Sequence, residues 1–118
     1  MIKPILKNVF SPNIPDLEKY EPEQDDCFMI QLWLDIGAND SDATDIFYLT
    51  VCTPEWLKNE CTLQALWGRH LLIVSSYDIQ IIRDKIEDYL STCTGNDWQQ
   101  LAVKIGKICA WEFEDYQA

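Results

Sequence analysis

Positive charge is scarce in this 118-residue chain. Nine lysines and arginines stand against twenty aspartates and glutamates, a formal charge of −11 at pH 7. Nucleic acids and anionic bilayers are gripped by clustered Lys and Arg, so the balance argues against both as partners. Histidine is nearly absent, with His70 alone, and no C-x-x-C pair occurs among Cys27, Cys52, Cys61, Cys93 and Cys109. Five is an odd number, and the closest pair, Cys52 and Cys61, is nine apart, which fits neither a zinc site nor a disulfide framework. Free thiols in a reducing compartment are the expectation. A leader is lacking too: "MIKPILKNVF" is broken by Pro4 and Lys7, and no apolar run nears the length of a membrane span. The chain is therefore expected to be unexported and cytoplasmic. There is no P-loop, no G-x-G-x-x-G and no G-x-S-x-G. Asp40, Asp42 and Asp45 echo a calcium loop, but the glycine and closing glutamate of an EF-hand are missing. No metal and no cofactor is expected.

What is present is the material of one folded domain, residues 1–118. Apolar residues make up 47% and aromatics 12%, and folding a chain of this length buries roughly 65% of its unfolded surface. The stretch 2–10 reads as an edge or frayed strand because of Pro4 and its lysines. Residues 11–26, "SPNIPDLEKYEPEQDD", carry three prolines and six carboxylates. They read as an acidic loop with one short turn at 16–20, long enough to point to function. Residues 27–37 alternate cleanly, with Phe28, Ile30, Leu32, Leu34 and Ile36 on one face and Met29, Gln31, Trp33 and Asp35 on the other. Residues 44–52 form the next strand, with Phe47, Leu49 and Val51 sharing a face.

Thr53, Pro54 and Glu55 open a short helix running to near Cys61. A strand over 70–76 follows, then a helix capped by Asp78 with Ile79, Ile82, Ile86, Tyr89 and Leu90 inward. The last helix is expected to open at Asn96, with Gln99 as its capping-box partner, and to include Ile108 and Cys109. Gly106 within it implies a close backbone approach. The aromatic and acidic tail from Ala110 reads as a final edge strand. The expected fold is α+β: an antiparallel sheet of about four or five strands with two main C-terminal helices on one face.

In "TVCTPEWL" (50–57), Cys52 stands beside a helix start, with His70 eighteen residues on, so a nucleophilic dyad is one reading. Against it, Cys52 precedes the cap and falls in a strand, no oxyanion loop accompanies it, and an acidic field raises a thiol pKa. A buried structural thiol is the favoured reading, with His70 hydrogen-bonded inside the fold. The tryptophans read mainly as core. Trp33, on the back of its strand, is the candidate for an exposed interface anchor.

The stretches "SPNIPDLEKYEPEQDDCFMIQLWLDIG", "TVCTPEWL", "GRHLLIVSSYD", "CTGNDW" and "WEFEDY" together resemble the eighth family of bacterial polymorphic-toxin immunity proteins across nearly the whole chain. The resemblance implies a non-enzymatic cytoplasmic protein that binds the C-terminal domain of a cognate toxin and neutralises it. It carries no catalytic residues with it. Because many toxin domains are basic nucleases, the expected partner surface is the acidic one: Asp16, Glu18, Glu21, Glu23, Asp25 and Asp26, with Asp40, Asp42 and Asp45 nearby and Trp33 as anchor. The competing readings are a small-ligand enzyme using Cys52 and His70, and an acidic adaptor of another kind.

Overall fold

A computed structural model of the chain describes residues 1–60 and 65–114. In order, the elements are β1 (Pro4–Phe10), β2 (Met29–Ala38), β3 (Asp45–Cys52), α1 (Pro54–Glu60), β4 (Leu71–Ile73), α2 (Ile79–Leu90), α3 (Trp98–Ile105) and β5 (Ala110–Trp111). The architecture is α+β, with the two C-terminal helices packed on a five-stranded sheet of order β1-β2-β3-β4, where β5 also pairs with β3.

The period-2 patterns of β2 and β3 meet in antiparallel register, Ile30 opposite Val51, Leu32 opposite Leu49 and Leu34 opposite Phe47. One face of the pair is therefore wholly apolar, and it is closed by Ile79, Ile82, Ile86 and Leu90 of α2 and by Ala102 and Ile105 of α3. Burying such side chains stabilises the fold by roughly 1.5–3 kcal/mol each before chain entropy is subtracted. β1 is the opposite edge, antiparallel to β2, with a bulge between Leu6 and Asn8. Gly37, near the far end of β2, admits no side chain: a Cβ there would lie 2.1 Å from the carbonyl oxygen of Ala43.

Three expectations need correction. The strand expected over 70–76 is only Leu71–Ile73, and it runs parallel to β3. A chain that leaves β3, forms α1 and returns alongside cannot pair antiparallel without a further reversal. The last helix is capped by Asp97 rather than Asn96; its carboxylate accepts from Gln100 N at 2.9 Å, while Gln100 Oε1 accepts from Asn96 N at 2.9 Å. Adjacent residues both suited to capping left the choice to packing. The helix also stops at Ile105, so Ile108 and Cys109 reach the core from the turns after it. Asp78 caps α2 as expected, accepting from Gln80 N at 3.0 Å and Ile81 N at 3.3 Å. The expected end of α1 near Cys61 lies outside the described residues, as does the tail beyond Glu114.

Candidate partner-binding surface

The acidic loop between β1 and β2 is held at its middle. Asp16 turns the chain by accepting from Glu18 N at 2.9 Å through its side chain and from Lys19 N at 3.2 Å through its carbonyl. That turn drives Leu17 into the core, where it is 6% exposed. Tyr77, just before α2, grips the same point: its hydroxyl donates to the Leu17 carbonyl at 2.6 Å, and its ring meets Tyr20 edge-on at 5.0 Å. Arg83 of α2 lies 3.8 Å from Glu18. Burial, and next the Glu18 carboxylate, push the Tyr77 phenol up to about 12. Asp16, Glu18, Glu21, Glu23, Asp25 and Asp26 are all exposed.

Asp40, Asp42 and Asp45 do not join them. They belong to the turn after β2 and the start of β3, at the far end of a ten-residue strand, about 30 Å from its beginning. Asp40 and Asp42 are exposed there, but Asp45 is half-buried. One of its carboxylate oxygens accepts the indole N–H of Trp98 at 2.6 Å and that of Trp111 at 2.9 Å. Asp45 thus ties α3 and β5 to the head of β3.

Trp33 is half-buried on the open face of the sheet. Its ring stands edge-on between Phe10 and Tyr48, 5.6 Å from each, so neighbouring strands supply a cross-strand aromatic row. The other tryptophans are less buried than expected: Trp56, Trp98 and Trp111 are half-buried, and Trp67 is 92% exposed. Nothing in "ALWG" distinguishes a core Trp from an exposed one, because too few residues surround it to set a period.

Cys52 and His70 form no dyad. Cys52 is completely buried, burial raises its thiol pKa, and the residue opposite it on β4 is Ile73. His70 instead places Nε2 3.0 Å from the carbonyl of Gly106. Gly106 is the C-cap of α3 rather than a residue within it, and a Cβ there would meet chiefly carbonyls of its own last turn, so the close approach expected at that glycine is not found. A carbonyl only accepts, so Nε2 carries the proton. This contact spans the β4 lead-in and the end of α3, and His70 sits at φ 56 to make it. No group of His, Cys, Asp and Glu among the described residues is arranged to hold a metal ion. No helix among them is long and apolar enough to cross a membrane.

Two features escaped the sequence reading: the exposure of Trp67 and the outer edge of β4. In a parallel ladder alternate residues face the neighbour. Thr50 N donates to His70 O at 3.1 Å and Val74 N to Cys52 O at 2.9 Å. Leu72 is therefore turned toward β3, while the N–H and C=O groups of Leu71 and Ile73 point away from the sheet. No further strand among the described residues covers them.

A family model described as Immunity protein 8 matches residues 5–116. No curated protein and no solved structure matches the chain.

Proposed function

The chain belongs to the immunity protein 8 family, and from that premise we propose that it binds a cognate bacterial toxin domain and neutralises it through the acidic loop 16–26. The chain acts in the cytoplasm, as a binding protein and not an enzyme, on the C-terminal domain of a polymorphic or contact-delivered toxin. The observation that carries this reading is a loop pinned at Leu17 while its six carboxylates stay in solvent. Presenting charge from a fixed backbone lowers the ordering cost of association, and a field of one sign speeds encounter with a basic partner. For a basic nuclease, these carboxylates stand where substrate phosphates would. Asp40 and Asp42 extend the negative field at the far end, and Trp33 offers an aromatic anchor between the two ends.

The test neutralises Glu21, Glu23, Asp25 and Asp26 to Gln or Asn, sparing Asp16 and Glu18 because they hold the loop. Stopped-flow association with the neighbouring toxin domain is expected to slow about tenfold at low salt, with a flatter dependence on ionic strength and little change in dissociation. Association kinetics identical to those of the native chain would sink the acidic-surface reading.

A further inference from the structure

The two edges of the sheet are built differently. β1 carries Pro4, Lys7 and a bulge, the Lys7 ammonium binds the Ser41 carbonyl, and the Asn8 side chain takes the Val9 amide at 3.0 Å. These are the devices that keep foreign strands off an edge. β4 carries no proline, lysine or bulge, and its one protective feature is its length of three residues. It reads Leu-Leu-Ile, its residues are half-buried or exposed, and Ile73 is 53% exposed. Behind it lies a groove of about 380 Å³ between the strand and α2, walled by Leu72, Ile86, Tyr89 and Ile108 together with the charged Lys85 and Asp88.

Position adds the second argument. Ile73 pairs with Cys52, and Cys52 with Met29, so the free edge of β4 ends at the same end of the sheet as the acidic loop. Four residues past Ile73, Tyr77 is bonded to Leu17 of that loop. A strand laid along β4 therefore has one terminus at the end of the sheet that carries Asp16, Glu18 and Glu21.

We propose that the outer edge of β4 is a strand-addition site for an extended segment of the toxin domain, with an apolar residue over the groove and basic residues toward the acidic loop. The proposal rests on the immunity reading above. Backbone pairing with Leu71 and Ile73 supplies the affinity, and the groove with the neighbouring carboxylates supplies the selectivity. A second copy of this chain is the poorer occupant, because each copy carries a formal charge of −11.

The experiment uses the full chain and the toxin domain encoded beside it. Amide hydrogen exchange is read at Leu71 and Ile73, free and bound, and affinity is measured for Ile73→Pro and Ile73→Thr. Proline removes an N–H that points outward, so β4 keeps its pairing with β3. Protection of both amides in the complex, with affinity falling about a hundredfold for Ile73→Pro and less than tenfold for Ile73→Thr, is the expected result. A native complex in which these amides stay unprotected overturns strand addition and leaves the immunity reading standing; this readout holds even if Ile73→Pro fails to fold. Protection that rises with protein concentration in the absence of toxin assigns the edge to self-association and overturns the proposal. Failure of the native chain to bind the toxin domain overturns both readings.

Discussion

The two ends of the sheet are both acidic, and the loop 16–26 at one end and Asp45 at the other use their carboxylates in opposite ways. At the end where β2 begins, six carboxylates lie in solvent, and among them only Asp16 and Glu18 are tied to the fold. At the end where β3 begins, Asp45 is sunk between Trp98 and Trp111 and accepts both indole N–H groups. A formal charge therefore does not tell which carboxylates a partner can contact, since some are fixed by bonds inside the fold. What matters is which oxygens the fold has already engaged.

That contrast can be broken by mutation, beginning at the engaged end. Asp45→Ala leaves two half-buried indole donors without their acceptor, at a cost of about 3 kcal/mol, which lowers the thermal midpoint by roughly 10 °C in circular dichroism. Asp45→Asn keeps an uncharged acceptor and is expected to lose about half as much. A midpoint unmoved by Asp45→Ala would erase the distinction between the ends. At the other end, Tyr77→Phe removes only the bond to the Leu17 carbonyl, about 1 kcal/mol. This smaller loss depends on pH. The folded state holds the phenol neutral, its pKa raised from 10.0 to about 12, so the stability it contributes is complete below pH 10 and is lost as pH rises toward 12. Denaturant titrations of the two proteins are expected to converge over that window; a constant gap would mean that the hydroxyl is not held as described. The smallest effect is reserved for the free carboxylates. Neutralising Glu21, Glu23, Asp25 and Asp26 together changes stability by less than about 0.5 kcal/mol, and a loss comparable to that of Asp45→Ala would show that they too are built into the fold.

Local pattern carried much of the architecture. Leu32, Leu34, Phe47 and Leu49 announced their buried faces by alternation, because a strand's side-chain period is fixed by its backbone. Asp78 announced the start of α2, because few residue types satisfy the first amides of a helix. What stayed hidden depends on residues distant in sequence. Trp98 and Trp111 lie 53 and 66 residues from Asp45, and no spacing rule connects an acid to indoles so far away. The parallel return of β4 is likewise a matter of which strand the chain comes back to, and β4 is too short to show a period. The separation of Asp40 and Asp42 from the acidic loop was within reach, since one ten-residue strand divides them. Counting carboxylates along the sequence had concealed it.

The pin at Leu17 and Tyr77 also bears on how the sequence can vary. Because the anchor lies at residues 16–20, the stretch from Glu21 to Asp26 follows the Tyr77 contact and is held at its main chain by the Gln24–Cys27 bridge that leads into β2. Side chains there can be exchanged with little repacking beneath them, since of these six positions only residue 22 is even half-buried. Such a segment is a place where mutations accumulate at low structural cost, so the sign and spacing of its charges can drift while the sheet and helices that carry it stay the same.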